Sequence, residues 1–107
     1  MTDQPIRISD AVREALANGT PVLALESTIF THGLPRPRNV DIALESEAIV
    51  RAAGAVPATI GVYHGQPVVG LSADEIRELA YDDDVVKASI RDLSYAAVTG
   101  KNAGTTI

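Results

Sequence analysis

The sequence contains no cysteine and no long hydrophobic run. Without cysteine it has neither a disulfide framework nor a thiolate metal site, and we expect a reducing, cytoplasmic location. No apolar stretch approaches the roughly 20 residues that a membrane-spanning helix needs. The first ten residues, MTDQPIRISD, include two acids and lack the apolar segment of a secretory signal. We therefore predict a protein that has no membrane partner.

Basic residues are also scarce. Nine Lys and Arg residues stand against fourteen Asp and Glu residues, so the net charge is −5. A nucleic-acid-binding protein usually has the opposite balance, and we predict no nucleic-acid partner. The 107 residues suffice for one modest core. We expect one unit over residues 1–107 with no internal boundary.

The apolar pattern predicts helices that alternate with strands. Ser9 or Asp10 begins a first helix that Gly19 ends, and Ser72 with Glu75 forms a capping box. The run 21–27 has no polar alternation, which is typical of a strand covered on both faces. Helices are predicted at 10–18, 38–53, 73–81 and from 92 or 94 to 100, and strands at 21–27, 56–64, 67–71 and 85–90, with a hairpin turn at 65–66. This order predicts an α/β fold, a partial mixed or parallel sheet flanked by helices.

Glu26 is the first candidate for chemistry, because it ends the first predicted strand. In open α/β sheets, ligands bind beyond the carboxyl ends of the strands. A carboxylic acid beside apolar Leu25 and Ile29 is a candidate general acid. The alternative is a structural carboxylate that caps the following turn or pairs with an arginine. The residues alone leave both interpretations open.

Other polar residues have weaker patterns. Ser27, Thr28 and His32 follow Glu26, but no G-x-S-x-G elbow surrounds the serine and no H-x-x-x-H spacing is present. We interpret His32 as a turn residue or a half-buried histidine with its hydrogen bonds satisfied, and His64 as a surface residue of a hairpin. The acidic run 82–84 is interpreted as a solvated turn.

The chain has only two lysines, Lys87 and Lys101. Lys87 lies in a segment with strand character, where it would hold a phosphate, form an imine, or simply extend along the surface. Lys101 lies in the segment 100–106, which is rich in glycine and hydroxyl groups. That composition fits a phosphate cradle as well as a helix end followed by a turn. The P-loop pattern is absent.

Five segments of the chain together resemble one protein family. They are PVLALESTIFTHGLPRPRN, GAVPATIGV, VGLSADEI, VVKASIRDL and GKNAGTTI. In this order and spacing they resemble the amino-terminal third of the pseudouridine-5′-phosphate glycosidases, or pseudouridylate synthases, of the indigoidine synthase A-like family. The resemblance covers about residues 9–107. It implies that the chain is the amino-terminal portion of a larger single α/β domain.

The family resemblance also implies a reaction. It is the reversible cleavage of the C–C glycosidic bond of pseudouridine 5′-phosphate to uracil and ribose 5-phosphate, by an enzyme of the carbon–oxygen lyase class. Ordinary glycosidases protonate a departing heteroatom, and that route is poor when the departing atom is carbon. The family opens the ribose ring and holds C1′ as an imine on a lysine. It uses Mn²⁺ and forms homo-oligomers, by resemblance trimers.

The family's functional residues map onto few positions of this chain. The proton-donating glutamate falls on Glu26, a substrate-binding lysine on Lys87, and a backbone contact to substrate on Ile107. Thr105 and Thr106 would lie near the same pocket. The imine-forming lysine and the manganese-binding aspartate fall beyond Ile107, so we expect no metal ligand in this chain.

From these departures we expect a fragment or truncated gene product that has no turnover by itself. The alternative is a non-catalytic truncated domain that binds sugar phosphate or serves in assembly. A nucleotide-binding module is disfavoured because no glycine-rich fingerprint is present. A sheet cut after its first third leaves an unpaired edge and an uncovered apolar face, so we expect oligomers or aggregation.

Overall fold

The computed structural model describes residues 6–88 and 99–105, and in these ranges strands alternate with helices. The elements are β1 (Arg7–Ile8), α1 (Asp10–Asn18), β2 (Val22–Leu25), a π-helical turn (Ile29–Gly33), α2 (Arg38–Ala52), β3 (Val56–Tyr63), β4 (Gln66–Val69), α3 (Ala73–Tyr81), β5 (Val86–Ala88) and β6 (Ala103–Thr105). The helix predicted to begin at Asp92 or Ser94 lies outside the described residues. Within those residues, no helix has the length and apolar character needed to cross a membrane.

The ends of α1 and α3 confirm the predicted capping signals. Ser9 Oγ accepts a hydrogen bond from Val12 N at 3.2 Å, and Gly19 ends α1 with a φ of +73°. At α3, Ser72 Oγ accepts from Glu75 N at 3.2 Å while Ser72 N donates to Glu75 Oε1 at 2.8 Å. These bonds satisfy N–H groups that a helix start otherwise leaves without partners.

The six strands form one mixed sheet with β3 at its centre. Along the sheet the order is β1–β4–β3–β6–β5, and β2 also pairs with β3. The first half of β3 pairs parallel with β2, with Leu25 opposite Thr59, and its second half pairs antiparallel with β4 and with β6. Two further pairs, β1 with β4 and β5 with β6, are parallel. The predicted α/β fold with a mixed sheet is confirmed.

Three local features differ from the expectations of the sequence analysis. The hairpin turn is His64–Gly65 rather than 65–66, because both residues have positive φ, +49° and +83°, as this tight turn requires. Gly104 belongs to strand β6, where it pairs with Gly61 and Lys87, so the segment 100–106 includes a strand that neither interpretation of it predicted. Strand β1 was not predicted, since two residues are too few to show a hydrophobic pattern.

The prediction that β2 is covered on both faces is wrong for the described part of the chain. Leu23 is 49% exposed and Ala24 is also exposed. An apolar strand in a parallel pairing is normally buried. Among the described residues, only β3 pairs with β2.

The main core lies between the sheet, α2, α3 and the π-helical turn. Its buried members are Phe30, Ala43, Val68, Leu71, Ile76, Leu79 and Ala80. Asn39 is buried among them, and its Nδ2 donates to Phe30 O and to Ala80 O, both at 3.0 Å. These bonds fix the π-helical turn against α2 and α3. The same turn lies close after the end of β2.

Candidate active site

Glu26 directly follows β2 and is half-buried at the mouth of a cavity of about 140 Å³. The walls come from the end of β2, the π-helical turn, α2 and β3. They are formed by Leu25, Glu26, Ile29, Phe30, Ile42, Ala43, Ser46 and Thr59. The structure therefore places this carboxylate at a strand end, as the sequence predicted, and also beside a mainly apolar cavity.

The structural alternative for Glu26 finds no support in residues 6–88 and 99–105. The arginines that form ion pairs in these ranges pair with other carboxylates, and none of them pairs with Glu26. The π-helical turn that follows has no side-chain cap.

The next residue, Ser27, joins the ends of β2 and β6. It is fully buried, its Oγ donates to Ile60 O at 2.6 Å, and it accepts from Thr105 N at 2.8 Å. Thr105 Oγ1 donates to the same Ile60 carbonyl at 2.8 Å, and Ser27 N donates to Thr105 O at 3.0 Å. Because this hydroxyl is already engaged as donor and acceptor, Ser27 is structural and not a nucleophile, in agreement with the missing nucleophile-elbow pattern. This set of bonds is called the strand-end junction below.

The π-helical turn packs closely on the strand-end junction. Thr31 Oγ1 lies 3.0 Å from Ser27 O and 2.8 Å from His32 Nδ1. A Cβ on Gly104 would overlap Thr31 Oγ1 and would lie 3.1 Å from Thr31 Cβ. Sequence reasoning missed this role of Gly104. A glycine within a strand often marks a place where another segment approaches closely. That signal could have found Gly104 only if strand β6 had been predicted, and it was not.

His32 and Lys87 lie on the β5 side of the strand-end junction. His32 is exposed, and its Nε2 lies 3.2 Å from Val85 O, so it ties the turn to the segment before β5, as a turn residue does. Lys87 is exposed and pairs in register with Gly104, the residue before Thr105. The structure thus brings Glu26, Thr105 and the backbone of Lys87 around the end of β6. Thr106 and Ile107 lie outside the described residues.

A second concave region lies at the hairpin end of β3 and has a volume of about 540 Å³. This hairpin groove is lined by His64, Glu78, Tyr81, Asp82, Asp84, Gly100, Lys101 and Asn102. His64 is exposed, as predicted. The acidic run 82–84 is less uniform than predicted: Asp83 is an exposed partner of Arg36, whereas half-buried Asp82 accepts a bond from Asn102 Nδ2 at 2.8 Å.

Glu78 is the charge centre of the hairpin groove. Its Oε1 accepts from Tyr63 Oη at 2.8 Å, and its Oε2 lies 2.5 Å from His64 Nε2. The hydrogen bond with His64, followed by that from Tyr63, lowers the pKa of Glu78 below its ordinary value of 4.5. Donation to Glu78 in turn raises the pKa of Tyr63 above 10.0. Both carboxylate oxygens are therefore already engaged by protein groups.

The described residues do not fit a manganese site. In residues 6–88 and 99–105, no group of three His, Asp or Glu side chains is placed to hold a metal ion. We therefore assign no chemical step to a metal on the basis of these residues.

Comparison with known proteins identifies the family. The family model described as indigoidine synthase A like protein matches residues 11–107. The pseudouridine-5′-phosphate glycosidase of Saccharopolyspora erythraea is 57% identical over 100 residues, which are 94% of this chain and 33% of that protein. The pseudouridine-5′-phosphate glycosidase 2 of Rhizobium johnstonii is 51% identical over all 107 residues, which cover 35% of it. The chain thus spans about a third of the length of the curated relatives it matches.

Two solved structures have the same fold over this region. One is the prealnumycin C-glycosynthase AlnA in complex with ribulose 5-phosphate, with a TM-score of 0.80 and 40% identity over 99% of this chain and 34% of that chain. The other is an indigoidine synthase A-like protein of Thermotoga maritima, with a TM-score of 0.75 and 31% identity over 95% of this chain and 32% of that chain. Sequence and fold agree, and the chain belongs to the family of indigoidine synthase A-like proteins.

Proposed function

We propose that this chain forms the amino-terminal part of an enzyme that reversibly cleaves the C–C glycosidic bond of pseudouridine 5′-phosphate to uracil and ribose 5-phosphate. Relatives that are more than half identical are named for action on this compound, and AlnA was solved with another pentose phosphate. The observation that carries the proposal is Glu26, which follows a strand end, lines an apolar cavity and has no arginine partner in the described chain.

In this proposal Glu26 donates the proton that opening of the ribose ring requires. The bond from C1′ to the ring oxygen breaks with its electron pair on the oxygen, which takes the proton, while the amine of the imine-forming lysine would form the new bond to C1′. The cavity walls around Glu26 are mainly apolar, so they would keep bulk water away from this transfer. A cavity of about 140 Å³ is well below the roughly 300–1,000 Å³ of sites that enclose a small ligand. We therefore assign the rest of the pocket to the part of the enzyme that follows Ile107.

Lys87 has a binding role in the proposal and not a covalent one. Lysines that form imines are usually desolvated, whereas Lys87 is exposed. A compact ammonium group suits a phosphate as a point charge. Its register position opposite Gly104, the residue before Thr105, supports this role. The imine-forming lysine and a manganese ligand are assigned to the part of the enzyme that follows Ile107.

The test is a chimera in which residues 1–107 replace the matching third of the Rhizobium johnstonii relative, which aligns with all 107 residues. Uracil release from pseudouridine 5′-phosphate is followed by chromatography in the presence of Mn²⁺. We expect the chimera to be active and the 107-residue chain alone to be inactive. Glu26→Gln should reduce the rate about 100-fold or more, since it removes a general acid. The control Glu45→Gln changes an exposed carboxylate on α2 and should leave the rate unchanged.

Three outcomes would contradict parts of the proposal. Full activity of the Glu26→Gln chimera would remove Glu26 from the chemistry. A folded but inactive chimera that still binds ribose 5-phosphate would favour the alternative, a non-catalytic sugar-phosphate-binding domain. Uracil release by the 107-residue chain alone would mean that Lys87 or Lys101 forms the covalent intermediate.

A further inference from the structure

Asn102 is a buried amide side chain to which the proposed chemistry gives no role. It is 6% exposed and lies between the hairpin groove and the start of β6. Its Oδ1 accepts a hydrogen bond from His64 N at 2.8 Å, and its Nδ2 donates to Asp82 Oδ2 at 2.8 Å. An amide serves both neighbours, because the backbone N–H needs an acceptor and the carboxylate needs a donor. The side chain is therefore fixed by two elements, the β3–β4 hairpin and the end of α3.

The backbone of Asn102 transmits this constraint to β5. Its carbonyl oxygen accepts a hydrogen bond from Val86 N at 2.9 Å, and Val86 is the first residue of β5 and directly precedes Lys87. Lys87 lies opposite Gly104 of β6 in the parallel register. Among the described residues, β5 pairs with no strand other than β6. The backbone position of Lys87 therefore depends on where Asn102 holds the start of β6.

The far end of β6 is fixed near the candidate acid. There the strand-end junction binds Thr105 to Ser27, the residue that follows Glu26. The three residues of β6 span only about 10 Å. Two anchors this close together set both the position and the direction of the strand. The segments that carry Glu26 and Lys87 are thus placed relative to one short strand, and Asn102 holds the end that adjoins β5.

We propose that Asn102 is a positioning residue for the substrate phosphate. It holds β5 in register with β6, so that the ammonium group of Lys87 meets the phosphate from a fixed backbone position. Fixing that backbone before the substrate binds reduces the ordering cost of binding. Asn102 itself does not contact the substrate. The inference rests on the proposed function for the role of Lys87 and deepens it by naming the group that places this lysine.

A reversal of the hydrogen-bonding pair gives a sharp test. Asn102→Asp replaces the donating NH2 group by an oxygen, so two carboxylates then face each other in a groove that Glu78 and Asp84 also line. Adding Asp82→Asn restores the bond in the reverse sense, with the amide at position 82 as donor. That amide still has an oxygen to accept the 2.8 Å bond from Asp84 N. The double variant also has the net charge of the wild type.

The variants are made in the Rhizobium johnstonii chimera, and the Kd of ribose 5-phosphate is measured by titration calorimetry. We expect Lys87→Ala to raise this Kd about tenfold or more, because a charge-assisted bond is lost. Asn102→Asp should raise it roughly fivefold, and the double variant should restore the wild-type value. Ser72→Ala is the control, because it removes a cap of α3 and lowers stability without touching β5 or β6. It should leave the Kd unchanged.

Two further measurements separate positioning from a merely structural role. Asn102→Asp should raise the Kd no further when Lys87→Ala is already present, because Asn102 acts through Lys87. In uracil release it should raise KM and leave kcat nearly unchanged, because phosphate binding is the same in the ground state and the transition state. If Asn102→Asp prevents folding, Asn102→Ala takes its place, since it removes both bonds without adding a charge.

The outcomes distinguish this inference from the proposed function. An unchanged Kd in the folded Asn102 variant, beside a clear loss in Lys87→Ala, would overturn the inference and leave the proposed function standing. An equal loss with and without Lys87 would also overturn it. A chimera that releases no uracil, but whose Asn102 variant binds ribose 5-phosphate more weakly only when Lys87 is present, would support the inference and refute the proposed reaction. Wild-type affinity in Lys87→Ala would refute both the inference and the binding role of Lys87.

Discussion

Two of the polar clusters that contact strand β3, the strand-end junction and the hairpin groove, are built in opposite ways. At Ile60, in the middle of the strand, the strand-end junction uses uncharged hydroxyl groups, and Ser27 and Thr105 both donate to one carbonyl. At the hairpin end, the hairpin groove uses a charged group, and Glu78 is bound by Tyr63 and His64 near the surface.

The difference shows why the larger concave region is the poorer candidate site. The hairpin groove has about 540 Å³ and the Glu26 cavity about 140 Å³. In the groove, however, protein groups already engage both oxygens of Glu78. Glu26 has no arginine partner in the described chain and faces mainly apolar walls. A carboxylate that must exchange a proton with a substrate needs the environment of Glu26 rather than that of Glu78.

The largest effect on stability is expected from Gly104→Ala in the strand-end junction. The new methyl group would overlap Thr31 Oγ1, and Thr31 is held by its own bond to Ser27 O. We expect a loss of about 3 kcal/mol in the free energy of unfolding, measured with urea. Gly33→Ala is the control, because its methyl group would meet Ile29 Cγ1 at 3.7 Å, an ordinary contact.

A second substitution sharpens this test. Adding Thr31→Ala to Gly104→Ala removes the overlapping oxygen, so the double variant should lose less stability than the two single losses added together. If Gly104→Ala lowers the free energy of unfolding no more than Gly33→Ala does, the strand-end junction is not closely packed. The junction would then not differ in packing from the hairpin groove.

A smaller loss is expected for Ser27→Ala. It removes the acceptor of Thr105 N and one donor to Ile60 O, both inside the fold. Leaving a buried N–H group without a partner should lower the free energy of unfolding by about 2 kcal/mol. Ser46→Ala is the control, because Ser46 Oγ donates to Ile42 O within α2. This substitution should lower the free energy of unfolding by less than about 0.5 kcal/mol. Equal losses for the two serines would show that the hydroxyl bridge does not hold the strand ends together.

Local signals explain what could be predicted from the sequence. Ser9 and Gly19 bound α1, and Ser72 with Glu75 begins α3, because each cap depends on residues within one turn. The position of Glu26 at a strand end was predictable for the same reason, since the apolar run before it is continuous.

Long-range contacts explain what could not be predicted. Strand β6 has three residues, Ala103–Thr105, whose state depends on distant β3 and β5. The bond between Ser27 and Thr105 joins residues 78 positions apart. Leu23 is exposed in the described part of the chain, and an apolar run alone gives no information on how far it is covered.

The smallest effect is expected at the hairpin groove, as a change with pH. The pKa of Glu78 is lowered below 4.5. Its hydrogen bonds should therefore stabilise the folded state fully above that pH, and this stabilisation should be lost as the pH falls through the folded-state pKa. The stability difference between wild type and Glu78→Gln should therefore shrink as the pH falls from about 5 to 3. Because the side chain of Glu78 is 45% exposed, the difference should stay below about 1 kcal/mol.

Urea unfolding across this pH range measures the effect, and Glu45→Gln is again the exposed control. The opposite sign holds for Tyr63, whose raised pKa predicts a stabilising contribution that is fully present below pH 10.0 and is lost as the pH rises through the higher folded-state pKa. Parallel stability curves for wild type and Glu78→Gln would mean that water screens the groove completely. A difference as large as the loss in Ser27→Ala would mean that the groove is as well shielded as the strand-end junction, and exposure would no longer distinguish Glu26 from Glu78.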